Sequence, residues 1–594
     1  IPSKKKQDTV LPEHPKIEGF SHDEYQVDIN EDLKKFKPDK LTEKFNDPEF
    51  LPNNKSLNGT KGAKKRKAES WKRVTDLSKN PKLFQDNADE NDIVQGSLGT
   101  CYFLSALSVI ASDEYVKNNY AQKVFVHSDI PNGQYVVKLY DQGKWKIVII
   151  DDYLPCKWNR PMFSKCASPD EFWVPLLEKA WAKYYGSFAT VESGTVSSAL
   201  LALTGGVTET IHVSPNDGRK NTLWKKMLSN VKNGYMMGVS ASSVTPQRYK
   251  KVGLILAHAY GLLDCQEVKD QDKTYKLICL RNPWGKAEWT GKWSDTSKAW
   301  TKALKDKLNF EKKVDGKFYM EYKTFCKYWT SLDVCKVIRS DMKTIVLKGE
   351  WKGESSTGIF CSTPEPENTP QFLVDVLEST KLILSIMQAG RSPKLAIGMN
   401  IVKHNVRVTQ QTKRIIKGNT VWMKSKEVYL EAELEPGKYI VAASNYYKGK
   451  ENSFVFRCMG NANAFTAQAI PPKELCYGDI KITGEFSKGN SGGRLSSNTS
   501  YKNDQYLLHC KQEVKLSISM ACKLRKVYLG YYIAPATKET NSPVFSNWER
   551  GSTGAWAGRR VEESHTFAAN SYTSIIPTTM KGGHTTGKYN LKVS

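Results

Sequence analysis

An apolar run, Phe103, Leu104, Ala106, Leu107, Val109, Ile110 and Ala111, starts directly behind the glycine-broken segment Gln95-Gly96-Ser97-Leu98-Gly99-Thr100. Neither proline nor glycine interrupts it for more than two turns, which predicts a buried helix from Cys101 to about residue 112. Two strand-like runs, Tyr135 to Tyr140 and Lys144 to Ile150, flank Asp141-Gln142-Gly143 and predict a β-hairpin. Between Glu171 and Tyr185, Phe172, Trp173, Leu176, Leu177, Ala180, Trp181 and Tyr184 fall near helical spacing, with Pro175 in the first turn. Further strands are predicted around Met236 to Ser240, His258 to Cys265 and Lys276 to Arg281.

Past about residue 340 the pattern turns to short β-like runs, and it repeats. One block opens on Gly349-Glu350-Trp351-Lys352-Gly353 and continues through Gln371-Phe372-Leu373 to Lys381-Leu382-Ile383-Leu384-Ser385-Ile386-Met387. A second opens on Gly484-Glu485-Phe486-Ser487-Lys488-Gly489 and continues through Gln505-Tyr506-Leu507-Leu508 to Lys515-Leu516-Ser517-Ile518-Ser519-Met520. Strict alternation in the last run, among many turns, predicts antiparallel sandwiches. Residues 1–70 are polar and basic with few clustered apolar positions, so they read as largely disordered. Phe36, Phe45, Phe50 and Leu51 are candidates for a strap docked on the folded part.

Cys101 would stand at the first turn of the predicted helix. Free backbone N–H groups and the helix dipole there favour an anion, and a thiolate is one. Gln95 precedes the turn, from where its side-chain amide can donate to an oxyanion near the sulfur. Taken alone, a cysteine behind a glycine turn is usually a small hydrophobe. Two later stretches change the weighing. Leu256-Ala257-His258-Ala259-Tyr260 offers an imidazole in a strand-like segment, and Arg281-Asn282-Pro283-Trp284-Gly285 offers an amide at a strand end. A thiolate, a base sharing its proton and a third group orienting the base are what a cysteine protease needs. The order Cys, His, Asn with a long gap before the histidine is the papain-like order.

These stretches resemble the calpain cysteine proteases. That family carries a Q-G-x-L-G-D-C-W signature, a G-H-A-Y signature and an R-N-P-W-G-x-x-E-W-x-G-x-W-x-D signature. Here the second reads Ala257-His258-Ala259-Tyr260, and the third runs from Arg281 through Glu288, Trp289, Gly291 and Trp293 to Asp295. Asp170-Glu171-Phe172-Trp173 and Asp315-Gly316-Lys317-Phe318 match further blocks, and the likeness is strong over about residues 80 to 340. The resemblance implies an α+β papain-like two-lobed core followed by two all-β antiparallel sandwich domains. The expected divisions are an N-terminal segment 1–70, a cysteine lobe 71–202, a His/Asn lobe 203–340, and sandwiches at 345–465 and 473–594. It implies Cys101 as nucleophile, His258 as base, Asn282 as its orienter and Gln95 in the oxyanion hole. Trp284 would be a wedge between the lobes without calcium, a shield over the His–Asn bond, or both.

The resemblance also implies two calcium sites in the core, with oxygen ligands suited to a hard cation. The first would use Asp92 and Glu171 with carbonyls of Gln85 and Asn87. The second would use Glu288, Asp295 and Asp315 with a carbonyl near Lys313. Lys317 falls where the family has a further glutamate. An ammonium repels calcium, so the second site is expected to be weakened or lost. Thr100 stands in place of the family's aspartate and Tyr102 in place of its tryptophan. No D-x-[DN]-x-[DN]-G-x5-E loop occurs, so the EF-hand domain of conventional calpains, and with it pairing to a conventional small subunit, is not expected. A tandem sandwich pair is the arrangement of atypical calpains.

The composition narrows the remaining choices. No apolar run is long enough to span a bilayer. The 12 cysteines show no C-x-x-C pair, which reads as reduced thiols in a cytoplasmic protein. No secretory signal is visible at Ile1, but the chain does not begin with methionine, as in a fragment or a processed form. The 88 Lys and Arg against 62 Asp and Glu give a net charge of +26, with a local run at Lys64-Lys65-Arg66-Lys67. That run is a solvated flexible linker, or a contact for acidic membrane lipid or an import receptor. Nucleic acid is not expected as a partner, because no recognisable nucleic-acid fold accompanies it. The leading expectation is an intracellular, calcium-regulated cysteine endopeptidase that cuts protein substrates at limited sites. The alternative is a catalytically weak scaffold that binds membrane or partner proteins through its sandwiches.

Overall fold

The computed structural model describes residues 43–59, 66–112, 120–241 and 249–338, most of 341–470, and the strands between 480 and 593. The chain divides into two compact units, residues 1–470 and 471–594.

The first unit begins with a two-lobed core. One lobe is built on the helix Cys101–Ile110, whose residues from Tyr102 onward are all buried. Phe103 stacks on Trp181 of the helix Trp173–Tyr184 at 4.8 Å between ring centroids. Pro175 falls in the first turn of that helix, where its missing N–H has no intrahelical partner to lose. The hairpin strands Gln134–Asp141 and Lys144–Asp151 pair with Asp141 opposite Lys144. Gln142 and Gly143 then form a two-residue turn, both at positive φ (52° and 78°), as type I′ hairpins require.

The N-terminal segment departs from expectation. Residues 43–59 are folded against this lobe, including a short helix Asn54–Asn58 capped by the Asn53 side chain. The Asp47 carboxylate takes the Lys183 ammonium on both oxygens at 2.8 Å, and its N–H donates to Asp151. Phe50 and Leu57 are buried, whereas Leu51 is 48% exposed and Phe45 half-buried. The strap is therefore held by ion pairs from Asp47 and Glu49 to the one Lys183 ammonium and by two apolar anchors, too sparse to leave a periodic signal. Phe36 lies outside the described residues.

The second lobe is a six-stranded antiparallel sheet. Its strand order is Lys317–Glu321, Lys273–Arg281, Ala259–Asp270, Met236–Ser240, Ser331–Lys336 and Val207–His212. Its own apolar core includes Met237, Tyr260, Leu280, Phe318 and Trp329. The helix Val196–Thr204 of the first lobe ends on Gly205, at φ 69°, and the chain crosses into the second lobe through Gly205-Gly206.

Two antiparallel sheets follow in the same unit. The first orders Met342–Trp351, Asn452–Asn461, Thr380–Gln388 and Glu427–Leu434; the second centres on Ala396–Lys403, Gly437–Asn445 and Gln371–Val376. Trp351, Phe372, Leu384, Ile397 and Phe456 fill the space between them. In the second unit, Ile480–Phe486, Gly587–Val593, Val514–Cys522 and Arg560–Phe567 form one sheet. Tyr506–Cys510, Ser571–Thr579, Leu529–Ala536 and Glu549–Arg550 form the other. In both units the opening strand pairs with a late strand, which pairs with the strand closing the sequence repeat. Trp351 and Phe486, aligned in the repeat, both end an opening strand and are both buried.

Candidate active site

Cys101 is the first residue of its helix, and the Thr100 carbonyl accepts from the N–H groups of Phe103 and Leu104. This helix packs on the strand Ala259–Asp270. At the closest point a Cβ on Gly261 would stand 3.1 Å from the Ser105 carbonyl oxygen. The missing side chain lets the helix carrying Cys101 approach the strand that follows His258. The Cys101 thiol is accordingly held among the N–H groups of Ala259, Tyr102 and Cys101 itself.

His258 and Asn282 are both buried, and His258 Nε2 lies 2.8 Å from Asn282 Oδ1. Asn282 follows the last residue of the strand Lys273–Arg281 and is fixed on every side. Its N–H donates to the Gly316 carbonyl at 2.8 Å, and its Nδ2 donates to Ala287 at 2.9 Å. Its Oδ1 also accepts from the Trp284 N–H at 3.0 Å. The Trp284 ring lies against His258 with centroids 5.0 Å apart. Gly316 is needed for this fit: it has φ 86°, and a Cβ there would stand 2.5 Å from the Asn282 carbonyl oxygen.

The electrostatics differ from the sequence expectation in one respect. Burial pushes the Cys101 thiol above its usual value, although the surrounding N–H groups pull it down. Burial also pushes His258 down to about 4, against the hydrogen bond to Asn282. The helix N-terminus alone would favour thiolate, but desolvation of the charge outweighs it.

Gln95 ties its own lobe to the second through its backbone, while its side-chain amide is turned to its own turn. Its backbone N–H donates to the Pro283 carbonyl at 2.9 Å, and its Nε2 donates to the Leu98 carbonyl at 2.7 Å. Thr100 and Tyr102, the two replacements beside the cysteine, are each absorbed by buried hydrogen bonds. Thr100 donates to Glu178 at 2.5 Å, and Tyr102 donates to the Val191 carbonyl at 2.9 Å while accepting from Trp181.

The predicted calcium ligands fall into two groups. Asp92 and Glu171 face each other, and the Gln85 N–H donates to Glu171 at 2.9 Å. Asn87 Oδ1 accepts from the Gln122 side chain. Burial, with Asp92 and Asp86 alongside, lifts the Glu171 carboxyl to about 7. In the second group Glu288 accepts from the N–H groups of Asp315 and Gly316, and Asp295 accepts from Lys313. Burial and mutual repulsion with Asp315 raise both Glu288 and Asp295. Lys317 turns its ammonium to Glu90 of the other lobe, at 3.3 Å. Among the described residues, no three His, Cys, Asp or Glu side chains converge to hold a metal unaided.

Two cross-lobe residues escaped the sequence reading. Arg281, fully buried, donates to Ser108 Oγ and to the Ile93 carbonyl of the first lobe, both at 3.0 Å. It opens the Arg-Asn-Pro-Trp-Gly motif, and a charge ending an apolar strand was the available signal. Glu90 carried none, since its partner lies 227 residues away.

Comparison with known proteins settles the family. The profile of the calpain family cysteine proteases matches residues 45–336, and that of calpain large subunit domain III matches residues 347–459. The chain belongs to the calpain family. Mouse calpain-5 is 28% identical over 495 residues, which cover 73% of this chain and 76% of that protein. The rice calpain-type cysteine protease ADL1 is 30% identical over 69% of this chain and 20% of its own length. The rat calpain-1 catalytic subunit is 29% identical over 70% of this chain and 64% of its own. No helix among the described residues is long and apolar enough to cross a membrane.

Proposed function

We propose that this calpain is an active, calcium-regulated endopeptidase that cuts intracellular protein substrates at limited sites. The observation that carries the reading is the buried His258–Asn282 hydrogen bond beside a strand whose next N–H, that of Ala259, faces the Cys101 thiol. Cys101 Sγ attacks the scissile carbonyl carbon, and its proton passes to His258. The tetrahedral oxyanion is held by the Cys101 N–H and the Gln95 side-chain amide. The C–N bond breaks as His258 gives the proton to the leaving amine, leaving a thioester. Water then attacks the thioester, with His258 taking and returning the proton, and Cys101 is released as a thiol. Asn282 holds the imidazole in the orientation this requires, and Trp284 shields their bond from water.

Asp92 and Glu171 suit a calcium ion whose remaining ligands are carbonyls of the 85–87 segment. Two carboxylates facing each other in a buried site, one already holding its proton near neutrality, are what a divalent cation relieves. A bound ion supplies positive charge there and ties the segment before Asp92 to the start of the helix at Trp173. Glu288, Asp295 and Asp315 form a second acidic set, but the resident Lys317 ammonium offsets part of its charge and weakens the case for a second ion. Free thiols at every described cysteine suit a reducing compartment.

The test is casein cleavage by the purified chain across a calcium titration, beside Cys101→Ala. Calcium-stimulated cleavage absent from the variant is expected. Cleavage indifferent to calcium would remove the regulatory half of the proposal. Equal cleavage by the variant, or none at any calcium level, would overturn the catalytic half.

A further inference from the structure

Arg457 sits in an apolar strand, Phe454-Val455-Phe456-Arg457-Cys458-Met459, and its side chain is 1% exposed. It does not serve the sandwich core alone. Its Nη1 donates to the Gly205 carbonyl at 2.7 Å and its Nη2 to the Gly206 carbonyl at 3.0 Å. These two glycines are the covalent link between the lobes. Its Nε donates to Ser385, and its guanidinium stacks over Tyr140 of the first lobe at 5.4 Å. Glu427, fully buried, pairs with Arg457 and accepts from the Thr208 N–H at 3.0 Å, just past the link.

The sheet carrying Arg457 touches both lobes. Toward the first, Met387 and Val455 pack with Tyr140, Trp145 and Leu201, and Lys426 pairs with Asp141 at 3.0 Å. Toward the second, Ile383 and Met459 pack with Val207 and Ile338. A Gly-Gly link is the most pliable connection a chain can make. Here both its carbonyls are taken by one planar fork, whose geometry a lysine cannot reproduce.

We propose that Arg457 and Glu427 are positioning residues of the protease, clamping the Gly205-Gly206 link so that Cys101 and His258 meet at one fixed lobe angle. The first sandwich is then part of the catalytic machinery and not only an appended domain. The inference rests on the protease reading above. It follows physically because Cys101 and His258 lie on opposite lobes, and a misplacement of about 1 Å costs roughly 100-fold in rate.

The test compares the full chain with Arg457→Met/Glu427→Gln, which removes both charges and so leaves no buried charge unpaired. Arg457→Lys keeps the charge but not the fork. Lys438→Ala is the control, cutting an exposed ion pair to Asp375 within the sandwich. With a short fluorogenic peptide, the double variant is expected to lose roughly 10- to 100-fold in kcat with KM nearly unchanged. Arg457→Lys should fall between it and the parent, and Lys438→Ala should match the parent. Alkylation of Cys101 by iodoacetamide, which needs no turnover, should slow in the same order. A folded double variant or Arg457→Lys with parental kcat and alkylation rate overturns the clamp, whatever its melting temperature. If the parent itself cleaves nothing, the protease reading fails, and the alkylation series still decides the clamp. Should the double variant not fold, Arg457→Lys carries the test.

Discussion

The ammonium of Lys317 stands 3.3 Å from a carboxylate oxygen of Glu90, and the two residues lie on opposite lobes. The neighbouring Asp315 and Glu90 both raise the Lys317 pKa, against burial. A fixed cation thus sits beside the acidic set Glu288, Asp295 and Asp315 and ties the lobes at the same time. Reversing it with Lys317→Glu would place two carboxylates together across the cleft. Because Lys317 is about one-third exposed, the lost attraction is worth only about 1 kcal/mol. Roughly fivefold lower activity at limiting calcium is expected, recovering as calcium rises and the new carboxylate becomes a ligand. A calcium titration of casein cleavage reads this. Unchanged half-saturation would mean that the pair does not report on closure.

Asn282 makes five hydrogen bonds at once, and only one of them is to His258. Asn282→Ala frees the imidazole to rotate and opens the turn that carries Trp284. A loss of roughly 100-fold in kcat is expected with little change in KM, since substrate does not touch the amide. Asn282→Gln should not rescue, because the longer side chain cannot keep both the Ala287 and Trp284 bonds. Peptide kinetics with circular dichroism as a folding control would show it; near-parental kcat in the alanine variant would remove Asn282 from the machinery.

Glu171 makes stability depend on pH. Its folded pKa of about 7 lies above the ordinary value of about 4.3 for an unfolded chain. Between these values the folded state holds a proton that the unfolded state has released. Stability of the calcium-free protein therefore falls as pH rises through this window, by up to about 3 kcal/mol. Glu171→Gln cannot ionise and should flatten that stretch, ending more stable than the parent at pH 8. Calcium should restore the parent and not the variant. Denaturant unfolding at pH 5 and pH 8 in chelator checks the sign, and parallel pH dependence in parent and variant would contradict it.

The helix at Cys101, the hairpin after Gln134 and the strand Met236–Ser240 were legible because each carries its full periodic signal within a dozen residues. The motifs around His258 and Asn282 are local too, and the two side chains meet in a hydrogen bond. The repeat in the sandwiches was legible for the same reason: Trp351 and Phe486 mark the ends of equivalent strands. What stayed hidden depends on distance along the chain. Asp47 meets Lys183, Glu90 meets Lys317, and Arg457 meets Gly205, each pair separated by well over a hundred residues. Charge balance at Cys101 was hidden differently. A helix N-terminus is visible in a sequence, but the burial that outweighs it is a property of the packed lobes.

Ala257 has φ 53°, a left-handed conformation that crowds its Cβ, where the family signature carries glycine. The strain is spent immediately before His258, with the Ala257 N–H donating to the Ala241 carbonyl at 3.2 Å. Ala257→Gly would relieve about 1–2 kcal/mol of backbone strain and give back about 0.5–1 kcal/mol to the freer unfolded chain. A net stabilisation of about 0.5–1 kcal/mol is expected in denaturant unfolding. His258 remains held by Asn282 and by the strand beginning at Ala259, so kcat should stay within about twofold of the parent. A stabilised variant with sharply reduced kcat would mean that the strained alanine, and not the Asn282 bond alone, fixes the imidazole. A destabilised variant would mean that the Cβ makes contacts worth more than the strain it causes.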